Sequence, residues 1–176
     1  MTFLKTADEL RAVEWGRTYL WDLKFRKYEG NPKSISPPGK FINWFPAETV
    51  TENLAALDMA EFAGFLGADY NIPKSSSSFG ISITFLDDIN HSLSTWIANW
   101  INKEIMNGGD YVSTISESVK WVDIAKLNQD RSLQTMNSYL VMPKGEINFE
   151  GTSESDVPRY TMEFVAAFGP STSASN

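Results

Sequence analysis

Apolar and polar residues alternate along some stretches of this chain and fall at helical spacing along others, and the two periods divide it into elements. Tyr19, Trp21, Leu23 and Phe25 share one face over residues 18–26, with Leu20, Asp22, Lys24 and Arg26 on the other, which predicts a half-buried strand. Ile81, Ile83 and Phe85 alternate with Ser82 and Thr84 in a second strand that ends at Asp87-Asp88. The period then changes. Leu93, Trp96, Ile97, Trp100, Ile101 and Ile105 form one stripe, a helix capped by Asp88 or Asn90 and terminated by Gly108-Gly109. Further on, Val119–Leu127 and Leu133–Met142 read as extended chain around a turn at Asn128–Arg131, although the first is also compatible with helix. Gly145–Glu150 places Ile147 and Phe149 on one side, and Arg159–Phe168 places Tyr160, Met162, Phe164 and Phe168 on one face.

Weaker signals fill the gaps. Thr6 and Glu9 have the form of a capping box opening a short helix through Leu10 and Val13 to Gly16. Residues 28–40 hold three prolines and two glycines and must be loop, long enough to be functional or mobile. Phe41–Phe45 reads as extended chain stopped at Pro46. Residues 52–66 favour helix by propensity, but Gly64 and Gly67 interrupt them and no apolar stripe emerges, so helix and strand both stay open. Pro73 and Ser75–Ser78 look like a flexible joint, and Gly169–Asn176 like a disordered tail. Together these predict a mainly β (α+β) fold, an antiparallel sandwich or barrel with one flanking helix. It forms a single domain over residues 1–168, with a flexible tail at 169–176.

Composition narrows the possible chemistry. The 176 residues include no cysteine, which excludes disulfides, thiolate metal sites and cysteine nucleophiles. The net charge of −7 is uneven: residues 1–40 carry eight basic and five acidic side chains, residues 41–119 two and ten, residues 120–176 five and seven. An acidic middle segment argues against a grip on nucleic-acid phosphates. The N-terminus lacks the pattern of a secretory leader and no stretch is apolar enough to span a bilayer, so a soluble protein is expected where it is made.

The candidate catalytic groups are few. His91, the only histidine, could join Asp87 and Asp88 in a metal or proton-transfer cluster, but helix capping explains the two aspartates more simply. Ser75–Ser78 before Phe79-Gly80 is no nucleophile elbow. Glu146, Glu150 and Glu163 could supply a glycosidase-like carboxylate pair, yet at alternate strand positions they read as a solvent face. Gly64 and Gly67 lack the lysine and helix of a phosphate loop, and Trp96 with Trp100 fit core packing better than base stacking. A non-enzymatic protein without cofactor or metal is expected.

The order of elements resembles the tail-tube family of contractile bacteriophage tails. The resemblance is carried by the helix over Asp8–Trp15, the strand through Tyr19–Phe25, Trp44-Phe45-Pro46-Ala47, the segment ending Asn71-Ile72-Pro73, and the unit from Ile81 through Asp87-Asp88 to Trp96 and Trp100. The closing pair at Gly145–Glu150 and Arg159–Phe164 completes it. It implies hexameric rings stacked into a hollow tube in a virion made in the bacterial cytoplasm. Neighbouring tube, baseplate or sheath proteins would be its partners, with DNA passing through the lumen without specific binding and no membrane involved. The long loop at 28–40 and the acidic link at 151–156 depart from a simple tube subunit and point to a baseplate initiator or hub as the other form. If rings stack in this way, the opposite charge of the first two blocks suggests that the basic group Lys24, Arg26, Lys27, Lys33 and Lys40 would meet Glu48, Glu52, Asp58, Glu61 and Asp69 of the next ring, with the lumen as the other place for these charges. A tube protein of a related injection or secretion system, a small-ligand-binding β-barrel with a pocket lined by Trp and Phe, and a hydrolase using acidic side chains are the alternatives.

Overall fold

The computed structural model describes residues 20–53, 58–63, 69–75, 80–109, 111–147 and 157–174. The expected N-terminal helix, the 151–156 link and residues 148–150 lie outside them. Eight strands are formed: β1 (Trp21–Lys27), β2 (Ala47–Glu52), β3 (Asp58–Ala63), β4 (Asp69–Ser75), β5 (Gly80–Leu86), β6 (Lys120–Leu127), β7 (Leu133–Lys144) and β8 (Arg159–Ala174). Six of them make one antiparallel sheet in the order β1-β6-β7-β8-β5-β2, while β3 and β4 pair with each other as a separate hairpin. The sheet curls back on itself. The Phe45 amide, just before β2, donates to the Leu23 carbonyl of β1 at 2.9 Å. At the other end of β2, Glu52 reaches Lys126 of β6 and the Tyr139 hydroxyl of β7, each at 2.8 Å.

Alternation explains the core. Leu23 and Phe25 of β1, Ile81, Ile83 and Phe85 of β5, Val122 and Ile124 of β6, Tyr139 and Val141 of β7, and Tyr160, Met162 and Phe164 of β8 are all buried. The stripe of helix α1 (Ser92–Asn99) closes over them with Leu93, Trp96 and Ile97, and the helix continues as a π-helical segment over Trp100–Ile105. Trp96 and Trp100 meet Phe25 edge-on, with ring centroids 5.4 and 6.3 Å apart, and Trp100 stacks on Phe164 at 6.0 Å. Burying each such side chain is worth about 1.5–3 kcal/mol.

Several expectations need correction. Phe41–Phe45 is not extended: a 3₁₀ turn over Gly39–Phe41 is closed by the Phe41 amide on the Pro38 carbonyl, and β2 begins after Pro46. That strand had no apolar alternation to reveal it, because it lies at the sheet edge with Glu48 and Thr49 facing water. For residues 58–63, where helix and strand both stood open, the outcome is a strand, since pairing with β4 supplies the backbone bonds that a helix would have made internally. Pro73 belongs to β4 rather than to a joint, and an edge strand tolerates its missing N–H. The stretch starting at Gly145 is not a strand over 145–147; β7 runs on to Lys144 instead. Residues 169–174, expected to be disordered, extend β8 along β7, with Thr135 opposite Ala174. Small polar side chains do not prevent a backbone ladder.

Candidate functional site

Among the described residues, core packing leaves over four polar clusters and the β3–β4 arm. The first joins loop 28–40 to the helix. Lys120, at the start of β6, is fully buried and donates to both carboxylate oxygens of Glu104 at 2.8 Å, to Ser34 Oγ at 2.6 Å and to the Ile35 carbonyl at 3.0 Å. Glu104 also accepts from the Ile35 amide at 2.8 Å, and the Trp96 indole donates to the Ile35 carbonyl at 3.2 Å. The ammonium lies 5.0 Å from the Trp100 ring centroid. Burial lowers the Lys120 pKa, with Glu104 opposing that shift. The proline-rich loop is therefore fastened to the helix by a buried ion pair. One signal was present in the sequence: Glu104 falls on the apolar stripe, three residues after Ile101 and four after Trp100, where a charge needs a buried partner.

The second cluster lies between β1, β6 and β7. Buried Asp123 takes a two-pronged contact from Arg26, Nε at 2.6 Å and Nη2 at 2.9 Å, with Ser138 at 2.7 Å and Lys24 at 3.7 Å. In the third, Glu52 accepts from Lys126, Asn137 and Tyr139. Burial raises both carboxyl pKa values, but the hydrogen bonds and cations outweigh it and both end below the ordinary carboxylate value, while burial and the bond to Glu52 push Tyr139 up. A depressed carboxyl pKa contributes stability that is present above the unfolded value of about 4 and is lost as pH falls. The urea midpoint should therefore drop between about pH 5 and pH 3, and Asp123→Asn should flatten that drop while lowering the neutral-pH midpoint. An unchanged pH slope in the variant would remove Asp123 from this account.

The fourth cluster caps α1. Asp87 accepts the amides of Leu93 and Ser94 at 3.0 Å each, and Asp88 accepts the Ser92 amide at 2.8 Å. Both aspartates are thus capping groups, but neither occupies the cap position, which His91 fills in a left-handed conformation at φ 51°. His91 faces the Tyr160 hydroxyl at 3.2 Å. Hydrogen bonds from Lys40 and Ser92 hold the Asp88 carboxyl well below its usual range. Among the described residues no cluster of His, Asp and Glu is placed to hold a metal. Glu163 is exposed beside Lys144 at 3.9 Å, Glu146 is exposed, and Glu150 lies outside the described residues. Phe25, Trp96, Trp100 and Phe164 are packed against one another in the core.

The residues expected to join neighbouring rings divide into three groups. Lys40 is bound to Asp88, Glu48 to Arg159 at 2.9 Å and Glu52 to Lys126, so these charges already have partners within the chain. Lys24 and Arg26 are likewise engaged by Asp123. Lys33 and Glu61 are exposed and have no ion-pair partner among the described residues. Asp58 and Asp69 lie at the two ends of the β3–β4 pairing, opposite Ser75 and Ala63. The hairpin follows β2 and precedes β5 along the chain as an arm that forms a sheet of its own, apart from the six-stranded one. Met59 and Ile72 on it are half exposed.

No protein-family model matches the chain, and no curated protein does. Solved structures do match its fold. A chain of the sheath/tube terminator of the PVC extracellular contractile injection system is 15% identical, with a TM-score of 0.63 over 93% of this chain and 100% of that one. A chain of the anti-feeding prophage cap, which terminates the tube, is 11% identical at a TM-score of 0.61, over 93% and 95%. A chain of the PVC sheath-tube complex is 13% identical at 0.60, over 98% and 100%. With the curled antiparallel sheet, the helix packed on it and the separate hairpin of its described residues, the chain has the tail-tube fold seen in contractile injection systems.

Proposed function

We propose that this protein is a structural subunit of a contractile tail or injection apparatus, assembling as a ring that belongs to the tube or caps one of its ends. The observation that carries this reading is the β3–β4 arm. A lone two-stranded hairpin is marginally stable in water, and this one leaves Met59 and Ile72 half exposed. Such an arm needs a second molecule to pack on. The correspondence, over nearly the whole length of both partners, with chains from structures of a tube-terminating cap and a sheath/tube terminator supports the same reading and accommodates the terminal or initiating role as well as the repeating one.

Six copies per ring, as the tail-tube resemblance implies, would carry six times the chain's charge of −7. A polar, acidic wall would repel the phosphates of DNA in a phage tail and so let it pass without being held. The same ring could serve a secretion apparatus, where the cargo differs and the wall chemistry need not. Electron microscopy and sedimentation of the purified protein, alone and with its tube and sheath neighbours, test the proposal. Rings with a central opening or short stacked tubes are expected; a species that stays monomeric in every mixture would overturn it.

A further inference from the structure

At the end of the barrel where β1 finishes, loop 28–40 and the last helical turns enclose a cavity of about 90 Å³. Much of its polar lining is already satisfied: Asn31 donates to the Glu117 carbonyl and accepts from the Lys33 amide, Glu104 accepts from Lys120 and the Ile35 amide, and the Glu117 carboxylate accepts from Thr114. Asn107, on the same cavity, is not held. Its side-chain amide makes no hydrogen bond to any described residue. Every buried side-chain nitrogen and oxygen among the described residues has a partner, so an amide without one is open to water. Asn128 and Asn137, by contrast, are tied to Ser132 at 2.9 Å and to Glu52 at 3.2 Å.

The backbone turns sharply here. The π-helical segment closes with the Met106 amide on the Ile101 carbonyl at 2.9 Å, and the following turn with the Gly109 amide on the Met106 carbonyl at 2.7 Å. Asn107 sits inside that turn in the left-handed region at φ 40°, and Gly109 follows at φ 99°. A Cβ at Gly109 would meet no atom within 4 Å, so this side of the turn stands clear of the rest of the molecule. Residue 108 is also glycine, and Asn107-Gly108 is the only Asn-Gly pair among the chain's twelve asparagines. With no Cβ at residue 108, little hinders its amide nitrogen from swinging onto the Asn107 side chain.

We propose that Asn107 is a self-modification site, where the chain converts a side-chain amide into a carboxylate without any enzyme. The Gly108 nitrogen loses its proton and attacks Asn107 Cγ; a C–N bond forms and the side-chain nitrogen leaves as ammonia. The five-membered imide that results takes up one water at either carbonyl. Opening at one gives aspartate at 107, opening at the other gives isoaspartate, and no oxidant or reductant takes part. Lys33 and Lys103 line the same cavity, are exposed and have no ion-pair partner among the described residues. Their positive charge favours the step by stabilising the negative charge that develops on the attacked amide. The carboxylate formed then gives these cations a partner, on a chain whose net charge is otherwise −7.

The test incubates the full chain at neutral pH and low salt and follows every asparagine by peptide mass spectrometry, with isoaspartate detected by enzymatic methylation. The parent is compared with Gly108→Ala and with Lys33→Gln/Lys103→Gln, and equal thermal midpoints verify folding. Residue 107 should convert before the other asparagines and give both products. Gly108→Ala should slow the conversion by about ten-fold, and the lysine double variant by about three-fold. The second effect should vanish in about 1 M salt, where the Debye length is about 3 Å. An amide at 107 that outlasts the other asparagines overturns the inference, as does a parental rate in Gly108→Ala or, at low salt, in the lysine double variant. None of these readouts depends on assembly, so such a failure leaves the ring reading intact.

Discussion

Replacing Lys120 with methionine should lower the unfolding free energy by about 3–5 kcal/mol, the cost of leaving one member of a buried ion pair without its partner. Lys120 is completely buried, and its ammonium answers Glu104, Ser34 and the Ile35 carbonyl together. Methionine of similar length fills the space but leaves the Glu104 carboxylate in the core with only the Ile35 amide. Changing Glu104 to leucine in the same chain removes that stranded charge, so the double variant should regain most of the loss. It should not regain all, because the Ile35 amide then lacks its acceptor. Urea unfolding of the two single variants and the double one gives the coupling directly. Equal destabilisation by all three would mean that the pair does not act as a unit. Hydrogen exchange offers an independent reading: amides around Ser34 and Ile35 should exchange faster in Lys120→Met, since the loop is held to the helix through these atoms.

A loss of similar size is expected for Trp100→Ala, about 3–5 kcal/mol. The indole is fully buried, packs against Phe25, Trp96 and Phe164, and donates to the Ser118 carbonyl at 2.8 Å. Alanine removes the ring and leaves a cavity between the helix and β8. Trp100→Phe should cost less, about 1–3 kcal/mol, because it keeps most of the packing and strands the Ser118 carbonyl. Denaturant unfolding with near-ultraviolet circular dichroism measures both. A loss under about 1 kcal/mol for the alanine variant would mean that the helix is not part of the same core as the sheet.

Both predictions concern residues whose importance differs in how it could be seen. Trp100 was legible: it repeats at helical spacing with Trp96 and Ile97, and a stripe of that width has to be covered. Lys120 was not, since a lysine at the start of a strand is ordinarily solvated, and only Glu104 on the apolar stripe hinted at a buried charge. The residues expected from the sequence to meet a neighbouring ring show the same limit. Lys33 and Lys40 are equivalent as sequence, yet the fold brings Asp88 to Lys40 and leaves Lys33 on the rim of a cavity. Glu52 and Glu61 differ in the same way, one bound to Lys126 and the other exposed on the arm.

What the sequence determined by itself was the set of faces. Alternation in β1 and β5 and the three-and-four spacing of the helix require one apolar side each, and burying those sides against one another dictates a curled antiparallel sheet closed by one helix. What only the tertiary structure decided was which polar groups meet. Residues 58–63 became a strand because β4 was there to pair with, residues 169–174 because β7 ran beside them, and loop 28–40 lost its freedom because Lys120 and Glu104 closed on it. Hydrophobic periodicity is a local property that each segment carries alone, whereas a backbone ladder or an ion pair needs two segments distant in sequence, and its free energy exists only once the fold has brought them within reach.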